Sequence, residues 1–168
     1  LSLNDINVKR VLDDGTVTFN SITNGDFGDE RNFVGAKVAG AKDSAWNADE
    51  IHVKDGETYT IRMYVHNNSP LGKKAIAKNV KGTFSLPTNV AKTQTIVGYI
   101  DSSNAKPTRY WDEVRLVADE NIYLEYVCCS AQYHNKSNNG EGKERTFKLP
   151  NEVITSGATL GYDSMNGE

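Results

Sequence analysis

The chain has no long apolar run, so nothing in it reads as a membrane-spanning helix. It also has no block of like charges. Nineteen Lys and Arg stand against 22 Asp and Glu, for a formal net charge of −3. Such an evenly mixed, mildly acidic chain excludes the concentrated basic face that nucleic acid requires. It equally excludes a polybasic patch for anionic lipid. There is no Gly-x-Ser-x-Gly, no His-Glu-x-x-His and no Gly-rich phosphate loop, so the familiar nucleophile, zinc-protease and nucleotide signatures are missing. The only cysteines, Cys128 and Cys129, are adjacent, which rules out a disulfide framework. On a strand they would point to opposite faces, so one buried and one surface thiol is expected, with a vicinal disulfide the strained alternative. No basic and apolar leader is visible, and the first residue is Leu1 rather than Met. The chain therefore reads as a piece of a longer protein.

What is present is period two. In residues 58–67, Tyr59, Ile61, Met63 and Val65 fall on one face, with Thr58, Thr60, Arg62, Tyr64 and His66 on the other. That alternation predicts a half-buried antiparallel strand. The pattern recurs over 121–130, where Ile122, Leu124, Tyr126 and Cys128 alternate with Tyr123, Glu125, Val127 and Cys129, and again over 94–101. Shorter strand candidates are 6–12, 16–22, 80–86, 113–118 and 145–149. Turn signals separate them, among them Asp14-Gly15, Asn24-Gly25, Asp55-Gly56, Pro87-Thr88-Asn89 and Asn138-Asn139-Gly140. Many short strands with frequent turns predict an all-β fold, an antiparallel β-sandwich with long loops. At most one short helix is expected, over 42–51, capped by Asp43 or Ser44. The alternation selects a core of Phe19, Ile22, Tyr59, Ile61, Met63, Val65, Phe84, Ile96, Leu116, Ile122, Leu124 and Tyr126. Length predicts a single domain spanning 1–168.

Several phrases carry a resemblance. They are Thr18-Phe19-Asn20-Ser21-Ile22 with Gly28-Asp29-Glu30-Arg31-Asn32-Phe33-Val34, then Val53-Lys54-Asp55-Gly56 with Tyr64-Val65-His66-Asn67-Asn68. Further on come Leu124-Glu125-Tyr126-Val127 with Ser130, and Gly157-Ala158-Thr159-Leu160-Gly161-Tyr162-Asp163 with Asn166-Gly167. In this order they resemble extracellular conserved-repeat domains, the Ig-like β-sandwiches of large bacterial surface or secreted proteins. The resemblance implies an Ig-like fold and an extracellular or wall-associated setting, and it implies no activity. In that family a further strand follows the Asp-x-x-Asn-Gly turn, so this chain reads as stopping short of it.

Each candidate site has an ordinary alternative. Asp26, Asp29 and Glu30 lie in one Gly-rich loop and supply hard oxygens suited to calcium. The plain alternative is an acidic turn in which Asp29 and Glu30 hold Arg31 or cap amides. Zinc would have to use Cys128, Cys129 and His134, a poor match to structural zinc spacing. Lys37, Lys54 and Lys81 lie near strands and are candidates for an internal isopeptide bond, which requires a lysine desolvated in the core. Trp46, Tyr99, Tyr110, Trp111 and Tyr133 are candidates for stacking on sugars. Tyr110-Trp111-Asp112 is the best of these, although Trp111 leads into an apolar strand, so one ring of the pair should be core. Among the histidines His52, His66 and His134, His66 ends a strand, where hydrogen bonding to a turn is expected rather than acid–base work.

The sequence thus predicts a non-enzymatic spacer module of a bacterial surface protein, with no required cofactor. The alternative is an adhesive module for a glycan or a host or bacterial surface protein, with Tyr110 and Trp111 as ligand contacts and calcium as a stabiliser.

Overall fold

A computed structural model describes residues 17–25, 28–69, 75–135, 144–162 and 164–168. Among the described residues, nine strands run β1 Val34–Val38, β2 Glu50–His52, β3 Tyr59–Met63, β4 Lys81–Ser85, β5 Ala91–Asp101, β6 Arg109–Ile122, β7 Gln132–Asn135, β8 Arg145–Lys148 and β9 Ala158–Thr159. The described residues contain no α-helix, only 3-10 turns at Asp43–Ala45 and Asn151–Ile154. The fold is all-β. No helix among the described residues is long and apolar enough to cross a membrane.

The main sheet has five strands in the order β2-β6-β5-β4-β9. Its spine is the antiparallel pair β5 and β6, of 11 and 14 residues, with a register shift between Ala91 and Thr93. Alternation sets its two faces. Gln94, Ile96, Gly98 and Ile100 of β5, with Val114, Leu116 and Ala118 of β6, are buried on the inner face. Tyr99, Asp101, Arg109, Trp111, Glu113 and Arg115 share the outer face.

The antiparallel pair β1–β3 covers the inner face. Small residues allow this close layering. A Cβ on Gly98 would stand 2.5 Å from Val34 Cγ2, and one on Gly82 would stand 2.9 Å from Met63 Cε. Asp112 reaches across the layers, where its Oδ2 accepts the backbone N–H of Val34 at 2.7 Å. A separate hairpin, β7–β8, packs Tyr133 and Phe147 together with ring centroids 6.5 Å apart.

Several expectations are corrected here. The fold is not purely antiparallel, because β2 runs parallel to β6, with Ile51 opposite Leu116. The strands expected separately at 113–118 and 121–130 are not separate up to Ile122, where the single strand β6 ends, and 123–127 leave the ladder. The alternation of Leu124 and Tyr126 therefore reflects one side packing inward without strand pairing. Leu124 is half-buried against the core. Ile22 is 38% exposed and lies outside the core. The 3-10 turn at 43–45 is preceded by Lys42 as its cap residue, and no side chain caps it. The second 3-10 turn, at 151–154, exceeds the one short helix expected. The strand candidate at 6–12 and the loop signals Asp14-Gly15 and Asn138-Asn139-Gly140 lie outside the described residues. From 16–22, Val17 and Phe19 form isolated bridges to Ala105 and Asn67 rather than a strand.

Candidate functional site: the outer sheet face

Tyr110 and Trp111 are adjacent on β6 and so point to opposite faces. Tyr110 turns inward, with its ring edge-on to Phe19 at 5.7 Å between centroids and its hydroxyl donating to Lys106 O at 2.7 Å. Burial pushes its phenol above the ordinary range, despite an opposing backbone hydrogen bond. Trp111 turns outward and is 63% exposed. Of the two rings, Tyr110 is the core residue.

Trp111 lies directly opposite Tyr99 across the β5–β6 ladder, and two positions along, Asp101 faces Arg109. Directly opposed residues on one face have Cβ atoms about 4.5–5.5 Å apart. Arg109 lies over the Tyr99 ring at 4.9 Å and holds Asp101 through Nε–Oδ1 at 2.6 Å and Nη2–Oδ2 at 3.0 Å. Beside this row, a polar groove of about 410 Å³ lies between the sheet and the turn after Asn151–Ile154. Thr83, Ser85, Thr155 and Ser156 give it hydroxyls, Asp101 and Arg109 give it charge, and Tyr99 gives it a ring. The face thus offers an exposed indole, a second ring and a line of hydrogen-bonding groups. That combination suits a ring-shaped polyol, whose C–H face stacks on an aromatic ring while its hydroxyls exchange hydrogen bonds.

The other aromatics have protein partners. Trp46 carries two cations on its ring, with Lys37 Nζ at 4.7 Å and Arg62 Cζ at 4.3 Å from its centroid. Tyr133 belongs to the β7–β8 hairpin, and burial raises its phenol.

The acidic loop separates its members. Asp29 forms a fork with Arg31, accepting from Nε at 2.9 Å and from the Arg31 backbone N–H at 3.0 Å. These bonds hold its carboxyl below the usual range. Glu30 turns inward and is buried. Its Oε1 lies 2.8 Å from His66 Nδ1, and its Oε2 accepts from Asn68 Nδ2 at 3.0 Å. The same His66 nitrogen lies 2.9 Å from Asn68 Nδ2. One nitrogen cannot both donate to Glu30 and accept from Asn68. The carboxylate favours the Nδ1–H tautomer, with Asn68 donating to Glu30. Buried Asn20 completes the cluster by accepting the His66 backbone N–H at 2.7 Å and donating to Tyr64 O at 2.7 Å. Glu30 is thereby a clasp between two chain segments, and Asp29 is an exposed ion pair. Asp26 lies outside the described residues. Among the described residues, no group of three or more His, Cys, Asp or Glu is arranged to hold a metal ion.

Two of the isopeptide candidates, Lys54 and Lys81, are exposed. Lys37 donates to Ala41 O at 2.8 Å and to Asp43 at 2.9 Å, an aspartate side chain that is 95% exposed. The Lys37 side chain is itself only 11% exposed, but its ammonium is held as a cation by this carbonyl and carboxylate rather than left neutral beside an Asn or Asp acceptor. Cys128 and Cys129 sit in a turn rather than on a strand, and both are exposed. The expected split into one buried and one surface thiol is therefore corrected. His134 contacts Thr146 and Glu144 instead of the thiols.

No family model, no curated protein and no solved structure matches this chain.

Proposed function

We propose that this chain is a non-catalytic module of a bacterial surface or secreted protein that holds a glycan on the outer face of its main sheet. The observation that carries the reading is Trp111, a 63% exposed indole on a β-strand, directly opposite Tyr99 and beside a hydroxyl-lined groove. A large ring mostly left in water beside a second ring and a line of hydrogen-bonding groups has the arrangement that stacks on a sugar face. The extracellular setting and the Ig-like arrangement rest on the resemblance of the Thr18–Ile22, Tyr64–Asn68 and Gly157–Asp163 phrases to conserved-repeat domains.

A second reading has its own support. The paired β5 and β6 run side by side for about 35 Å, the 11 residues of β5 at roughly 3.4 Å per residue, a length suited to a spacer that projects neighbouring domains.

One experiment separates the two. The purified chain is screened on an array of bacterial and host glycans, alongside Trp111→Ala and Tyr110→Phe. Binding to one glycan class that falls about tenfold (about 1.4 kcal/mol) in Trp111→Ala and persists in Tyr110→Phe supports the glycan reading. Silence across the array rejects it and leaves the spacer.

A further inference from the structure

The turn after 123–127 carries a side-chain pair that the glycan reading does not use. Cys129 adopts φ 62, in the left-handed region that a non-glycine residue rarely occupies. This turns its side chain back towards that of its neighbour, and the two Sγ atoms lie 3.0 Å apart. On a strand the same two residues would have faced apart. The Asn151 side chain braces the arrangement from outside the turn. Its Oδ1 accepts the Cys129 backbone N–H at 2.9 Å, and its Nδ2 points at both sulfurs, 3.2 Å from Cys128 and 3.8 Å from Cys129. Both residues are exposed, so a small reagent can reach them.

We propose that Cys128 and Cys129 form a reversible redox site that closes to a vicinal disulfide by exchange with a low-molecular-weight disulfide. The Cys128 thiolate attacks one sulfur of the reagent RSSR. A Cys128–S–S–R bond forms, the RS–SR bond breaks and one RS⁻ leaves. Cys129, once deprotonated, then attacks Cys128 Sγ and expels the second RS⁻. The protein loses two protons and two electrons, and RSSR is reduced to two RSH.

The roles follow from the contacts. The Asn151 Nδ2 lies nearer to Cys128, at 3.2 Å, than to Cys129, at 3.8 Å, and so favours a thiolate on Cys128. The contact with Cys129, and then that with Asn151, hold the Cys128 thiol below the usual range, while the same contact between the thiols holds Cys129 above it. Cys128 therefore attacks first and Cys129 resolves. The resolving sulfur is already in contact, so the second step is intramolecular and outruns release of the protein in its mixed form. Adjacent Cα atoms across a trans peptide are about 3.8 Å apart, shorter than disulfides usually span, so the closed ring is strained and readily reduced. The site is therefore a switch rather than a structural staple.

The test uses the whole chain in buffers of reduced and oxidised glutathione at increasing oxidation. Free thiols are titrated and intact and peptide masses recorded. The expected result is a loss of both free thiols and two hydrogens, with a peptide linked only between Cys128 and Cys129, and full recovery on adding reduced glutathione. Cys129→Ser should instead accumulate one glutathione on Cys128. Cys128→Ser should react more slowly, and Asn151→Ala should slow the wild-type reaction. Persistence of both thiols in the oxidised buffer would overturn the proposal. So would stable double glutathionylation of the wild-type chain, or its conversion to disulfide-linked dimers.

Discussion

Asp112 on the main sheet and Val34 on the covering pair are joined by a carboxylate-to-amide hydrogen bond of 2.7 Å, made between the two layers. Burial raises the Asp112 carboxyl above its ordinary value, outweighing the backbone bonds that lower it. The folded state thus holds this proton more tightly than the unfolded chain does. The contribution of this group to stability is fully present below the ordinary aspartate value and is lost as pH rises through the raised one. Asp112→Asn keeps an oxygen for the Val34 N–H and removes the buried charge. We expect it to match or exceed the wild type in urea midpoint at neutral pH, and to flatten the acid side of the stability profile. A clear loss at neutral pH would mean that the charge itself holds the layers together.

Gln94 tests the polar interior. It is 1% exposed, and its amide donates to Asn89 O at 2.7 Å and to Ile122 O at 2.8 Å. Gln94→Leu preserves bulk and strips both carbonyls of their donor. Unsatisfied buried groups cost about 1–3 kcal/mol each, so urea denaturation should show a loss of about 2–4 kcal/mol. A loss below about 0.5 kcal/mol would show that water replaces the amide.

The Glu30–His66 clasp should matter more than its surface ion pair neighbour. Glu30→Ala leaves His66, Asn68 and the turn without their acceptor. The loss should be about 1–3 kcal/mol, reduced from the fully buried case because the His66 side chain is 41% exposed. Asp29→Ala removes only an exposed fork with Arg31 and should shift thermal melting little. Equal effects would disprove the distinction.

Gly98 tests how closely the layers approach. Gly98→Ala places a methyl 2.5 Å from Val34 Cγ2 and 3.2 Å from Met63 Sδ. Overpacking of this kind costs about 1–3 kcal/mol. Gly98→Ala combined with Val34→Ala should recover part of that cost, and a double-mutant cycle on urea midpoints measures the coupling.

Much of the all-β character was legible, because β3, β4, β5 and β8 carry a period-two pattern between turn residues. β1 was not, since Gly35 and Ala36 give it little strand character. Their smallness is a packing requirement, with Asn47 O only 3.1 Å from where a Gly35 Cβ would lie. The parallel β2 comprises only three residues, too few for any periodicity. The 121–130 pattern misled because apolar alternation records which side chains face inward, and Leu124 does so without a ladder partner. At the candidate site, strand geometry requires Tyr110 and Trp111 to face apart. Which of them points to water depends on where Val34 and Phe19 dock, and that is a tertiary fact. The positive φ of Cys129 has no local sequence signal either, as the residue that adopts it is neither glycine, asparagine nor aspartate.

Among the described residues, the main sheet ends in strands of three and two residues, β2 on one side and β9 on the other. Such stubs expose few free backbone donors and acceptors for a foreign strand to zip onto. Copies crowded at high local density should therefore stay separate along these borders, each meeting its surroundings through the broad face of the sheet rather than by fusing edge to edge.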